Sequence, residues 1–193
     1  PGILAQSVLF IAIFYGISII WEKDLGVVHK FLVSPTPRAA LVLGKALSAG
    51  VRGLAQGLIV VIIALLLRVH LNFNLLSLLG VAVAVILGSA LFSTFSLIIA
   101  CIVKTRERFM GLGQVLTMPL FFASNAIYPI SIMPSWLQVV SHLNPLTYEV
   151  DILRQLMLAG GTGSYQIGFD LVVLTAATII LVLIGAVMYP KVI

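Results

Sequence analysis

The sequence predicts an all-α polytopic membrane protein, and three observations carry that prediction. Of its 193 residues 61% are hydrophobic and 9% charged, with a mean hydropathy of +1.21, against about 25% charged residues in soluble domains. Five apolar stretches reach or approach the ~20 residues that a helix needs to cross a bilayer at 1.5 Å per residue. The basic residues gather in two of the connections between those stretches instead of spreading along the chain. A net charge of +5 distributed in this way reports topology, not nucleic-acid binding. A lone cysteine, Cys101, excludes an internal disulfide and has the neighbours of a packing residue.

The predicted spans are about 3–20, 46–67 (extended at one end by 37–45), 75–103, 110–128 and 167–189. Between the first two lie Lys23, Lys30, Arg38 and Lys45, and between the third and fourth lie Lys104, Arg106 and Arg108. The other two connections hold only Arg68 and Arg154. This imbalance places loops 21–45 and 104–109 in the cytosol, together with Lys191 and the C-terminus. Pro1 then starts outside. The first stretch also lacks a methionine and a basic leader, so a cytosolic amphipathic helix and a further span are expected upstream, six spans in the complete protein.

The first loop, WEKDLGVVHKFLVSPTPRAALVLGK, is too charged to span and too apolar to be an idle tether. On a helix, Leu25, Val28, Phe31 and Leu32 share one side, and Glu22, Lys23, Gly26, His29 and Lys30 gather on the other. Such a helix either rests on lipid headgroups or receives push from a soluble partner. Ser34-Pro35-Thr36-Pro37 stops it, and Thr36 as N-cap with Pro37 at the first helical position restarts the chain.

In the second span Gly44, Ser48, Arg52 and Gln56 recur every four residues as a small and polar stripe. A charge as deep as Arg52 faces a protein interior or a wet cavity, or snorkels to the cytosolic headgroups. In the third span Ala84, Gly88, Ser89, Ser93 and Ser96 let helices approach closely. The fourth carries Gln114, Thr117, Phe121, Asn125 and Tyr128 along one face, with a kink expected at Pro119. That face either lines a path for an amphipathic solute or bonds to neighbouring helices. Ser48, Arg52, Gln56, Gln114, Thr117, Phe121 and Asn125 are thus the candidate substrate path.

Segment 129–166 holds two helices too short to span, one opened by Pro134 and ended at Asn144-Pro145, the next capped by Thr147 and ended by Gly160-Gly161. Their apolar sides (Trp136, Val140, Leu143; Val150, Leu153, Met157) make them re-entrant or interfacial helices at the outer face. Tyr128, Pro129, Pro134, Trp136, Asn144 and Pro145 are the candidate outer gate. No nucleophile–base set or metal cluster is legible. Gly44-Lys45 resembles the end of a P-loop, but Ala39 and Ala46 stand where glycine and Ser/Thr are needed. Acid/base pairs for a proton relay are not expected, with Asp170 near the outer end of its helix.

The first loop resembles the cytosolic loop of type-2 ABC exporter membrane subunits, the daunorubicin-resistance and polysaccharide (Nod-factor) export class. It has a Glu-containing turn, a Gly, a short hydrophobic helix, Ser-Pro, and Gly-Lys entering the next span. NAIYPISIMPSWLQVVSHLNPLTYEVDILR resembles the same family's outer segment, with Tyr-Pro, Met-Pro-x-Trp-Leu and Asn-Pro-Leu-Thr in order. The resemblance implies a dimeric export permease, one transmembrane domain over 1–193, in the plasma (inner) membrane. A separate cytosolic ATPase would drive it and would bind ATP and magnesium; this chain would bind no cofactor and catalyse nothing. The family's coupling helix matches Glu22 through Leu32, so Glu22, Lys23, Gly26, His29, Lys30, Phe31 and Leu32 are the implied ATPase contacts. The competing readings are a secondary transporter or channel using Arg52 and the Gln114–Asn125 face, and a membrane scaffold without transport.

Overall fold

The computed structural model describes residues 1–27, 37–103 and 105–189, the Lys23 side chain excepted. Its helices are α1 (Gly2–Tyr15), α2 (Ile17–Asp24), α3 (Arg38–Leu66), α4 (Leu75–Val103), α5 (Arg106–Phe122), α6 (Ser135–Leu143), α7 (Pro145–Met157) and α8 (Ile167–Met188), with a 3-10 turn at Ile130–Ile132. Four helical segments are long and apolar enough to cross a membrane: 2–22, which joins α1 and α2 through Gly16, then α3, α4 and α8. With leucine, isoleucine and valine exposed along α3 (Leu47, Val51, Leu58, Ile62) and α8 (Ile180, Leu183, Val187), the chain is an all-α multi-pass membrane protein.

The fourth apolar stretch forms α5, which starts at Arg106 rather than 110 and ends at Phe122 rather than 128. At 17 residues it is roughly 26 Å long. Pro119 lies within it, and the chain leaves the helix where Ser124 turns its hydroxyl back to the Phe121 carbonyl at 2.7 Å. Beyond that point Asn125 is committed to tertiary bonds.

α4 is the central column, packed against α1, α3, α5, α7 and α8. Lipid is as apolar as leucine, so close packing has to hold such helices together. The small residues supply it: Ala84, Gly88, Ser89, Ser93 and Ser96 are all buried. On α3 the buried line is Ala46, Ala49, Gly50, Gly53 and Gly57; Gly50 meets Ile86, Gly53 comes so close to the Ser89 hydroxyl that a β-carbon there would collide with it, and Gly57 faces Leu4 of α1. Ser96 donates across to the Ile13 carbonyl of α1. The larger side chains fill two clusters. One is built on Leu4, Leu9, Ile13, Phe92, Leu146 and Ile152. The other, on Ile19, Ile20, Val42, Leu97, Phe109 and Tyr189, lies toward Lys45.

The two short helices differ in placement. α7 is inserted among the spans, with Leu146, Val150, Ile152 and Leu153 fully buried, whereas α6 leaves Trp136, Val139, Val140 and Leu143 exposed. The cap of α7 is Asn144, not Thr147. The Asn144 carboxamide oxygen accepts from Leu146 N at 3.0 Å, and Pro145 takes the first helical turn, where its missing N–H costs nothing. Thr147 lies inside the helix and donates instead to the Ser141 carbonyl at 2.8 Å. The far end of α7 is tied to the α3–α4 loop by a Leu71–Leu158 bridge and by Asn72 N donating to the Met157 carbonyl at 2.8 Å.

Candidate functional site

Charged side chains collect at two ends of the bundle. At the first, α2 runs on as a helix through Glu22 to Asp24, and Gly26 turns the chain in the left-handed region at φ +71°. Within the described residues the expected amphipathic helix does not run on unbroken from Glu22: α2 ends at Asp24, and Glu22 closes the first span. Val28, His29, Lys30, Phe31 and Leu32 lie outside the described residues, as does Thr36; α3 begins at Arg38 with Pro37 at its N-cap position.

Two ion pairs hold the end of α2. The Lys45 ammonium on α3 binds both Glu22 oxygens, at 2.7 and 2.5 Å. Asp24 accepts from Arg106 on α5 at 2.8 Å, and the Arg106 guanidinium also covers the Trp21 ring at 4.7 Å. Beside them opens a cleft of about 250 Å³ lined by Tyr15, Glu22, Leu41, Gly44, Lys45 and Tyr189.

The candidate path residues do not form one surface. Ser48 and Gln56 are half-buried and Arg52 is exposed, all on the flank of α3 beside its small-residue line. On α5, Gln114 is exposed, while Thr117 is buried with its hydroxyl on the Gly113 carbonyl at 2.5 Å. Phe121 is buried too, and Asn125 belongs to the second end. Of the outer-gate candidates Tyr128, Pro129, Pro134 and Trp136 are exposed. Asn144 is buried, capping α7 and donating to the Leu120 carbonyl at 2.6 Å, with Pro145 half-buried beside it.

At the second end a polar knot joins the turn after α5, α7 and the loop that follows α7. The Asp151 carboxylate accepts from Asn125 Nδ2 at 3.1 Å, Ser164 N at 2.7 Å and Tyr165 N at 2.9 Å. Arg154 donates to both oxygens of Asn125, at 3.0 Å to the side chain and 2.6 Å to the backbone. Charge-assisted bonds of this kind are the strong ones in a low-dielectric setting. Tyr148, Tyr165 and Phe169 stack around it, with centroids 5.6 to 6.1 Å apart.

Two carboxyls near this end have no partner among the described residues. Both oxygens of Glu149 and both of Asp170 are buried without a hydrogen bond. The Glu149 carboxyl packs on the bare backbone at Gly88, and burial pushes its pKa well above the ordinary carboxylate range. Glu149 and Asp151 were missed in the sequence because a 13-residue helix with one apolar side reads as lying on a surface. A helix enclosed on all sides buries both faces of that pattern. Among the described residues no three His, Cys, Asp or Glu side chains converge as a metal site.

Comparison with known proteins places these features in a family. The chain is 28% identical to the putative transport permease ycf38 of Cyanophora paradoxa over 80% of its own length and 53% of that protein's. It is 25% identical to the daunorubicin resistance ABC transporter permease protein DrrB1 of Streptomyces coeruleorubidus, covering 90% and 61%. It is 26% identical to the inner membrane transport permease YadH of Escherichia coli K12, covering 80% and 59%. The chain thus spans little more than half the length of these relatives. No solved structure matches it. The model of the ABC-2 type transporter family matches residues 1–158, most of the chain, and the chain belongs to that family.

Proposed function

We propose that the chain is the permease part of an ATP-driven exporter that moves an amphipathic substrate out of the cytosol. A separate ATPase subunit supplies ATP and magnesium chemistry, and a second permease copy completes the path. In this reading the Lys45 end is cytosolic and the Asn125 end is outside, as the basic loops require. One observation carries the proposal. Glu22–Lys45 and Asp24–Arg106 tie the end of the first span to α3 and α5 at the point where the chain turns off into the loop at Gly26. A push on that loop is therefore delivered to three helices at once.

Glu22, Lys23, Gly26, His29, Lys30, Phe31 and Leu32 remain the proposed ATPase-facing stretch, with Glu22 holding its base and Gly26 supplying the turn. A leucine at Gly26 would be strained at that φ. The test is to purify the permease with the ATPase encoded beside it and measure substrate-stimulated ATP hydrolysis and export in proteoliposomes. Glu22→Ala and Gly26→Leu are expected to lose stimulation while inserting normally. Wild-type stimulation and co-purification in both would reduce this stretch to an interfacial linker. Ion-driven flux without ATP would favour the secondary-transporter reading, which the separation of exposed Gln114 from buried Asn125 does not support.

A further inference from the structure

Arg52 is a cation that no side chain of this protein neutralises. All six acidic residues (Glu22, Asp24, Glu107, Glu149, Asp151 and Asp170) lie among the described residues, and the two ion pairs they make use Lys45 and Arg106. Arg52 instead lies over Tyr15, its guanidinium carbon 4.4 Å from the ring centroid. Tyr15 is itself held by its hydroxyl, which donates to Ser48 Oγ at 3.4 Å. A cation–π contact sets where the guanidinium sits but uses none of its five N–H donors. Among the described residues the headgroup is thus positioned and unspent, about 10 Å further along α3 than Lys45.

The surroundings point to a ligand. Tyr15 also walls the cleft of about 250 Å³ at this end. On the same cleft the Tyr189 hydroxyl is fully buried and has no hydrogen-bond partner among the described residues. Exposed Ala55 and Ile59 follow Arg52 on the same face of α3, one and two turns further along, and offer apolar surface for a tail. A fixed guanidinium fork fits two oxygens of a phosphate group and repels an ammonium headgroup. We propose that Arg52, with Tyr15, Ser48 and the adjoining cleft, receives the phosphate-class headgroup of an amphiphile entering from the membrane. The inference deepens the exporter reading and rests on it for the side of entry.

Binding is measured on the permease alone in a non-ionic detergent, by fluorescence anisotropy of a short-chain phosphatidic acid. The matching diacylglycerol and dodecyltrimethylammonium serve as comparison probes. Wild-type protein is expected to bind the phosphatidic acid saturably and the other two weakly. Arg52→Gln is expected to weaken phosphatidic acid binding at least tenfold, with Arg52→Lys retaining part of it and both variants keeping the wild-type melting temperature. Phosphatidic acid binding equal to wild type in Arg52→Gln would overturn the site, as would equal affinity for all three probes. So would an Arg52→Gln variant that separates the permease copies with lipid binding intact, which would mark an interface residue. Because the assay contains no ATPase, its failure is separable from failure of the exporter reading. A second arm identifies the source of the phosphate in the permease–ATPase complex. ATP hydrolysis stimulated by phosphatidic acid in wild type and not in Arg52→Gln assigns the headgroup to cargo. Binding without stimulation assigns it to a resident membrane lipid, and the site stands in either case.

Discussion

The two charged ends of the bundle are built on opposite plans. At the Asn125 end the carboxylate of Asp151 is buried and fully satisfied, by one side-chain and two backbone donors, and Arg154 spends itself on Asn125. At the Lys45 end the pairs are single and partly or half exposed, and Arg52 is left unpaired. A saturated buried knot stabilises one arrangement, because any displacement strands several donors at once. Open pairs exchange with water and other partners at little cost. The Asn125 end is therefore the anchor that keeps α7 inside the bundle, and the Lys45 end is the part free to respond.

Substitutions can break that contrast, and the largest effect belongs to the anchor. Asp151→Ala strands three N–H donors and should cost about 3–5 kcal/mol, seen as a large drop in the melting temperature of the detergent-solubilised protein. An unchanged melting temperature would remove the anchor role. Gly88→Ala places a β-carbon against the Glu149 carboxyl and should cost about 1–3 kcal/mol. Glu149→Ala in the same chain should recover part of that loss; strictly additive losses would show that the two positions do not touch.

Glu149→Gln tests the unpartnered carboxyl through pH. Burial raises its pKa well above 4.5, so the folded chain holds this proton more tightly than the unfolded chain. Its contribution to stability is therefore greatest below that value and declines as pH rises toward the raised pKa. Glutamine, neutral throughout, should flatten that decline and leave the variant more stable than wild type at neutral pH. Parallel pH profiles for the two proteins would count against it. At the Lys45 end, Lys45→Ala should cost about 0.5–1 kcal/mol, since its side chain and that of Glu22 are 14% and 26% exposed. Asp24→Ala, in a pair nearly half exposed on both sides, should cost less than about 0.5 kcal/mol. A loss at Asp24 as large as that at Asp151 would erase the distinction between the ends.

What the sequence by itself determined is whatever depends on one helix and its solvent. Stretches such as 75–103 and 167–189 are helices because a predominantly apolar segment in lipid must satisfy its backbone internally, and their bounds came out within a residue or so in the structure. Gly88, Ser89, Ser93 and Ser96 were legible as packing residues because small side chains at helical spacing serve any close neighbour. The polar stripe of α3 was legible as well. That its neighbouring line makes the contact with α4, through Gly50 and Gly53, was not, since both stripes have the same period. The tertiary structure alone decided that Glu22 ends a span and pairs with Lys45, that Asn144 and not Thr147 caps α7, and that α7 sinks into the bundle while α6 stays on its surface. It also decided that Asn125, Asp151 and Arg154 form one knot while Glu149 stands alone against Gly88. The reason is physical. A polar side chain in a short helix carries no mark of its partner, and whether it is satisfied, stranded or exposed depends on which distant backbone arrives beside it.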